Sequence, residues 1–194
     1  PIVGLGIYIM KKQILGLIIA ASFLVGCQST SEDETAGIKE TPTIESFVDY
    51  HNEELNQFIT SDMGSIAQTN NEIILLLNGD KSFDSGSITI KEESKNVLSN
   101  LAKLLKDKPE SEVFIAGHTD SQGSKKFNIS LSNKRADSVL DLLTKEGVDS
   151  NRINTYGFGE AEPIATNMNA DGRKKNRRIE IRITPISEMF DEKE

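Results

Sequence analysis

Three segments of the chain repeat apolar residues at the spacing of an amphipathic helix. They are residues 44–60, 92–107 and 129–146. Gly147 directly follows the third segment, and a glycine there can end a helix in the left-handed conformation. The pattern therefore predicts three helices, each with one apolar face for packing.

Shorter apolar runs between the predicted helices are typical of strands. Asn70 and Asn71 separate the first two runs and favour a tight turn, so these two runs are expected to form a hairpin. The last run alternates apolar and polar residues, which predicts one buried and one solvent-exposed face. Strands alternating with helices favour two layers, with helices on a sheet. The predicted strands are 65–69, 72–77, 112–117, 152–158 and 178–184.

Composition and charge narrow the function. The chain is 37% apolar and 27% charged, as globular proteins are. The net charge of the chain is −8. The first 27 residues contain two lysines and no acid, so the remaining residues carry a net charge of about −10. An acidic body argues against nucleic acid as a partner, because phosphates require a basic surface. With one cysteine and two histidines, the chain offers no internal disulfide and no Cys- or His-rich metal site, and no cofactor is expected.

The N-terminal segment is typical of a secretory signal. Lys11 and Lys12 precede an uncharged, mostly apolar run at 14–25, which is shorter than the roughly 20 residues that span a bilayer. Met10 is the expected true start of the protein, and residues 1–9 are then upstream read-through. Residues 1–27 are therefore assigned to a signal peptide.

The apolar run ends in Leu24-Val25-Gly26-Cys27, which resembles the bacterial lipobox. The resemblance implies cleavage before Cys27 and acylation of this residue, which would anchor the protein to outer-membrane lipid. Gln28 at the next position implies sorting to the outer membrane. The alternative is an ordinary signal peptide that happens to contain a cysteine.

Two polar segments flank the predicted body. Residues 28–43 are polar and acidic without periodicity, as in a flexible linker. Within them, Glu32-Asp33-Glu34 resembles a surface-export signal of some bacteria, although a solvated linker is the preferred interpretation. Residues 187–194 form an acidic tail.

One ordered set of motifs distinguishes this chain from a generic α/β sequence. The motifs are Phe83-Asp84-Ser85, Gly117-His118-Thr119-Asp120-Ser121-Gln122-Gly123, Asn128, Leu131-Ser132, Arg135-Ala136, Gly157-Phe158-Gly159-Glu160, Pro163, Asn167, Gly172-Arg173 and Asn176-Arg177-Arg178-Ile179-Glu180. From about Asn78 to Ile183 the chain resembles the OmpA-like C-terminal domain, the family of peptidoglycan-associated lipoproteins. The resemblance implies an α+β fold over 78–186: a two-layer sandwich of a mixed four-stranded sheet with helices on one face, in the order β-α-β-α-β-β. A helix and a small hairpin at 44–77 would precede it.

Asp120 and Arg135 are the central candidates for ligand binding. Asp120 follows a predicted strand, and Arg135 lies 15 positions later on a predicted helix that can bring it back toward Asp120. A carboxylate and a guanidinium across a gap suit a zwitterion, such as the free end of meso-diaminopimelate in peptidoglycan stems. The predicted helix N-terminus near Asn128 would add backbone donors and a favourable dipole for the ligand carboxylate.

The family resemblance implies diaminopimelate contacts for the residues at Asp120 and Arg135. It also implies help from Asp84, Thr119, Asn128 and Arg177. Two simpler interpretations stay open: Asp120 and Arg135 could form a purely structural ion pair, and Asn128 could be only a helix N-cap.

Three other features invite a functional interpretation. His118 has no partner nucleophile in the sequence, so a core or loop histidine is expected. Gly157 and Gly159 superficially suggest a phosphate loop, but a turn is the better account. A basic cluster is either a solvated face or, in part, a contact surface for wall carboxylates, with Arg177 reaching the stem peptide. The cluster comprises Arg173, Lys174, Lys175, Arg177, Arg178 and Arg182.

The sequence as a whole predicts a lipid-anchored, non-catalytic protein that tethers the outer membrane to peptidoglycan. Its domain is expected to face the periplasm, with other envelope proteins as further possible partners. One alternative is a peptidoglycan-processing enzyme or accessory factor, but no zinc ligand set, Cys–His pair or nucleophile elbow supports it. Another is a stator-like anchor, although such proteins place this domain behind a charged membrane helix, and the apolar run at 14–25 carries no charge.

Overall fold

Residues 43–186 are described by the computed structural model; the predicted signal peptide with Cys27, residues 28–42 of the linker and the tail 187–194 lie outside them. Among the described residues, no helix has the length and apolar character needed to cross a membrane. The elements are α1 (Ile44–Asn56), β1 (Gly64–Gln68), β2 (Ile73–Asn78), α2 (Gly79–Ser82), α3 (Glu92–Asp107), β3 (Ser111–His118), α4 (Lys125–Lys145), a 3₁₀ turn (Ser150–Arg152), β4 (Ile153–Gly159), α5 (Ala170–Asn176) and β5 (Arg178–Pro185).

The five strands form one sheet in the order β1-β2-β5-β3-β4. The pairs β1–β2, β2–β5 and β3–β5 are antiparallel, whereas β3–β4 is parallel. The α+β class with a mixed sheet is confirmed. The expected separation of a four-stranded sheet from a hairpin is wrong, because β2 pairs along its whole length with β5. Leu75 lies opposite Ile181 and Leu77 opposite Ile179, so this pairing buries apolar residues of both strands.

The buried apolar residues of sheet and helices form a single core. Alternate residues of β2 and β5 point into it, since successive side chains of a strand face opposite sides of the sheet. Phe47 of α1, Leu101 of α3 and Leu143 of α4 are buried in the same core. The helices therefore cover one face of the sheet, as the apolar periodicity predicts.

Two helix boundaries differ from the predicted ones. α1 ends at Asn56 rather than residue 60, because the amides of Phe58 and Ile59 both donate to the Leu55 carbonyl in a closing turn. α4 begins at Lys125 rather than 129, because the Ser124 hydroxyl accepts from the Phe127 amide and caps the helix.

The solvent-exposed face predicted for the last strand is only partly observed. Arg182 is exposed, but Arg178 and Glu180 are buried, like Ile179 between them. The reason is that β5 is a central strand between β2 and β3, so side chains of neighbouring strands, such as His118, cover this part of its face. Glu180 lies between Arg178 and Arg182 and beside His118, so the burial is made possible by charge pairing.

Gly157 and Gly159 lie in β4 and not in the turn that the sequence suggested. A Cβ at Gly157 would lie 2.2 Å from the Asn133 amide nitrogen, so the glycine allows α4 to approach the sheet closely. Gly159 has a φ of +58°, a conformation that side chains disfavour. Close packing of the helix against the strand therefore explains the motif.

Candidate ligand-binding site

A cavity of about 590 Å³ opens where β2 and β3 end and β5 begins. Asp80 follows β2, Asp120 follows β3, and Arg177 immediately precedes β5. α4 contributes Asn128 and Arg135 from its first three turns. Residues far apart in sequence thus meet at one edge of the sheet, where the strands and the start of a helix converge.

Arg177 is held by two carboxylates. Its Nε and Nη2 donate to the two Asp80 carboxylate oxygens, each over 2.7 Å, and its Nη1 donates to Asp120. Hydrogen bonding from Arg177 lowers the pKa of Asp80, and Asp80 in turn raises the pKa of Arg177 above its ordinary value. Asp80 and Arg177 are therefore charged at neutral pH and hold each other in a fixed geometry.

Asp120 is 5% exposed, and its partner is Arg177 rather than Arg135. One carboxylate oxygen accepts from the Gln122 amide at 2.9 Å, and the other faces Arg177. No ion pair joins Asp120 to Arg135 within the described chain, so the interpretation of these two residues as a structural ion pair is wrong. Both residues line the cavity, which lies between them.

Arg135 is 5% exposed and lacks an ion-pair partner among residues 43–186. Its Nε donates to the Ser87 carbonyl at 2.8 Å and its Nη2 to the Asp84 carbonyl at 3.0 Å. Its guanidinium carbon lies 4.8 Å from the centre of the Phe83 ring. Within the described chain its Nη1 has no hydrogen-bond partner. Burial lowers the pKa of Arg135, but an arginine stays protonated, so an unneutralised cation borders the cavity.

Arg152 provides a contrast, since it too lacks a carboxylate partner in residues 43–186. Its guanidinium donates to the carbonyls of Leu105, Lys108 and Ser111 and to the Ser111 hydroxyl. Two of these acceptors are at the C-terminal end of α3, where a cation is favoured. All three nitrogens of Arg152 are thus occupied by the protein, whereas Arg135 keeps one available.

Asn128 is buried in the first turn of α4, and the N-cap of this helix is Ser124. The alternative that Asn128 is only an N-cap is therefore wrong. Its Nδ2 donates to the Asp120 carbonyl at 3.3 Å and to the Glu160 carboxylate at 2.6 Å. Asn128 thus ties the loop after β3 to the loop after β4 at the wall of the cavity.

The other two predicted residues are placed differently from each other. Asp84 lines the cavity with a side chain that is 76% exposed, and Lys91 pairs with it at 3.1 Å. Thr119 is buried, does not line the cavity, and its hydroxyl has no hydrogen-bond partner in the described residues. The structure therefore brings together Asp84, Asp120, Asn128, Arg135 and Arg177 and leaves Thr119 behind this site.

Asp80 and Lys91 line the same cavity and were missed by the sequence analysis. The signal for Asp80 was its position directly after a predicted strand, which is the feature that identified Asp120. With them, the wall carries three carboxylates and three cations. These are Asp80, Asp84 and Asp120, and Lys91, Arg135 and Arg177.

The basic cluster predicted from the sequence is divided in the structure. Arg178 and Arg182 pair with Glu180, and Arg173 donates to the Asn167 carbonyl. His118 is a buried strand residue stacked on Phe158 at 5.1 Å, as expected for a core histidine. Among the described residues, no group of three or more His, Cys, Asp or Glu could hold a metal ion.

Comparison with known proteins identifies relatives of this chain. Residues 82–177 match the model of the OmpA family. The probable lipoprotein YiaD of Escherichia coli (strain K12) is 43% identical over 122 residues, which are 63% of this chain and 56% of YiaD. The peptidoglycan-binding protein ArfA of Mycobacterium tuberculosis is 37% identical over 118 residues, or 61% of this chain and 36% of ArfA.

Among solved structures, the cell wall anchor of the T6SS from Pseudomonas aeruginosa has a TM-score of 0.59 and 28% identity. This similarity covers 75% of the chain and 99% of that structure. The chain spans little more than half, or less, of the length of these curated relatives. This chain therefore carries an OmpA-family domain, which includes residues 82–177.

Proposed function

We propose that this protein is a lipid-anchored, non-catalytic peptidoglycan-binding protein that recognises the diaminopimelate zwitterion of stem peptides. The observation that carries the proposal is Arg135, a buried cation with no carboxylate partner in the described chain and one guanidinium nitrogen left for a ligand. A buried charge without a counterion is costly, and a ligand carboxylate would remove that cost.

The other charged groups of the cavity suit the ammonium group of the zwitterion. Its wall has equal numbers of carboxylates and cations, so a ligand with one charge of each sign preserves the balance. The ammonium group would lie toward Asp120 and Asp84, and the carboxylate toward Arg135. Phe83 and Leu131 offer apolar contacts for the methylene groups between them.

The relatives support peptidoglycan as the ligand. ArfA is described as a peptidoglycan-binding protein, and one structural relative as a cell wall anchor. YiaD is described as a probable lipoprotein, which supports acylation of Cys27. Together they favour a tether between the outer membrane and the wall, with the domain in the periplasm.

The chain enters the domain at a position that suits such a tether. Asp49 in α1 accepts a hydrogen bond from Gln68 at the end of β1, so α1 starts near the turn of the hairpin. Asp80 and the cavity follow the opposite end of that hairpin. The chain therefore enters the domain at Thr43, at the end away from the cavity.

The proposal is tested by NMR titration of the domain with a stem peptide that ends in diaminopimelate. The control ligand is the same peptide with lysine, which lacks the second carboxylate and so is no zwitterion at that end. We expect shifts around Asp120 and Arg135 with the first peptide and much weaker binding of the second.

Substitutions test which residues bind the peptide. Arg135→Gln and Asp120→Asn should each weaken binding of the diaminopimelate peptide at least about 30-fold, since losing one partner of a buried charge pair costs ~2–5 kcal/mol. Lys145→Gln, in the last turn of α4, is the control for loss of a charge far from the cavity. Equal affinity of all three variants would overturn the assignment. Release of soluble fragments from purified wall would overturn the non-catalytic role.

A further inference from the structure

A second cavity, of about 630 Å³, shares Arg177 with the first one. Its wall comes from the β1–β2 hairpin, from the loop before β1 and from α5. Leu76 and Ile164 provide apolar surface, and Lys174 and Lys175 provide charge. Part of this wall precedes residues 82–177, so it lies outside the segment that matches the family.

Several charged groups in this wall are already neutralised. Arg178 pairs with Glu180 at 3.4 Å, and Asp62 pairs with Lys81 at 3.0 Å. Arg177 is held by the two carboxylates of the first cavity. These groups shape the wall but add little net charge.

The remaining groups leave an excess of positive charge. Lys174 and Lys175 are exposed and have no ion pair among residues 43–186. Asp171 is the one wall carboxylate there without an ion pair. Two unpaired cations thus face one unpaired anion. Counted over all charged groups, the wall of the second cavity has four cations and two carboxylates, whereas that of the first cavity has three of each.

We propose that this second cavity is a carboxylate-binding subsite for the stem peptide whose zwitterion occupies the first cavity. The inference rests on the proposed function. Because Arg177 lines both cavities, one extended ligand can occupy both without leaving the surface between them. Lys174 and Lys175 bind a carboxylate from another residue of the peptide, and Leu76 and Ile164 contact its aliphatic parts. The two cavities together select an anionic peptide that ends in a zwitterion.

The test uses three ligands: free meso-diaminopimelate, a diaminopimelate stem peptide with one additional free carboxylate, and the same peptide with that carboxylate amidated. Affinities are measured by calorimetry for the wild type and for Lys174→Gln/Lys175→Gln. Lys103→Gln/Lys145→Gln is the control, since it removes the same charge from α3 and α4, away from both cavities. NMR spectra of the unliganded variants verify that the fold is unchanged.

We expect amidation to weaken binding to the wild type and to the control variant about fivefold, as the loss of exposed ion pairs would. Amidation should leave the affinity of Lys174→Gln/Lys175→Gln unchanged. Free diaminopimelate should bind all three proteins equally, because it fills only the first cavity.

Two failures are distinguishable. If the wild type binds the diaminopimelate ligands but amidation weakens the double variant as much as the wild type, the second subsite is overturned and the proposed function stands. If no ligand binds the wild type, both proposals are overturned. A further experiment measures co-sedimentation of the wild type and of Lys174→Gln/Lys175→Gln with anionic phospholipid vesicles. If the vesicles bind the wild type but not the double variant, and amidation of the peptide has no effect, the cavity binds a lipid surface and the proposed subsite is overturned.

Discussion

Asp80 binds the guanidinium of Arg177 through two parallel hydrogen bonds of 2.7 Å each. This bidentate geometry fixes the plane of the guanidinium and leaves its third nitrogen for Asp120. Arg177 thereby becomes a rigid wall between the two cavities. The residue that organises the site is thus Asp80, which is 97 positions from its partner.

We expect Asp80→Asn to lower the free energy of unfolding by about 1 kcal/mol at pH 7, since the pair is partly exposed. Arg177 lowers the pKa of Asp80, so its stabilisation is complete above the ordinary value of 3.8 and is lost as pH falls through the lower value of the folded protein. Urea denaturation at pH 7 and at successively lower pH values measures this difference, which should stay constant above pH 3.8 and shrink as the pH falls further below it. Asp141→Asn, on the exposed face of α4, is the control; a pH-independent difference for Asp80→Asn would contradict the prediction.

His118 should make stability depend on pH. Burial lowers its pKa to about 4, with a further contribution from Arg178, while Glu180 opposes the shift. Between pH 6.5 and 4 the unfolded chain binds a proton that the folded protein excludes, so stability falls as pH decreases through this window. The loss should be on the order of 3 kcal/mol.

His118→Gln should remove this loss, because glutamine does not titrate. Thermal unfolding at several pH values between 4 and 7 compares the variant with the wild type. His51 is also buried with a lowered pKa, but it is present in both proteins and therefore cancels. Equal pH dependence of the two proteins would refute the assignment to His118.

Gly157→Ala should destabilise the domain by about 2–3 kcal/mol or more, because its Cβ would lie 2.2 Å from the Asn133 amide nitrogen. Gly86→Ala is the matched control: its φ is +66°, but no atom lies within 4 Å of the new Cβ. Only the backbone cost of about 1 kcal/mol applies there. Chemical denaturation measures the loss of stability in both variants. Equal losses would show that the close approach of α4 does not exclude a side chain at position 157.

Arg135 and Arg152 should respond differently to replacement by methionine. Arg152→Met removes hydrogen bonds to three backbone carbonyls and should cost about 2–3 kcal/mol without changing ligand binding. Arg135→Met removes only two such hydrogen bonds and relieves a buried charge that no helix C-terminus favours, so the free energy of unfolding should change by no more than about 1 kcal/mol while binding is lost. Chemical denaturation measures the stability of both variants, and peptide titration measures their affinity. A large destabilisation by Arg135→Met would contradict the prediction and indicate a structural role for Arg135.

The sequence by itself determined much of the local structure. The apolar period of α3 placed the helix at Glu92–Asp107, as observed, because its buried residues repeat on one face. Asn70 and Asn71 located the turn between β1 and β2. The motifs also identified Asp84, Asp120, Asn128, Arg135 and Arg177, all of which line the first cavity. These features depend on short-range periodicity and on motif order, and both are properties of the linear chain.

Tertiary structure alone decided which groups pair and which are buried. Asp120 pairs with Arg177 and not with Arg135, because the start of β5 lies beside the end of β3. β2 joined the main sheet, and Glu180 became buried, because β5 lies between two neighbouring strands. Burial and charge pairing depend on distances between groups that are far apart along the chain, and those distances exist only after the sheet has assembled.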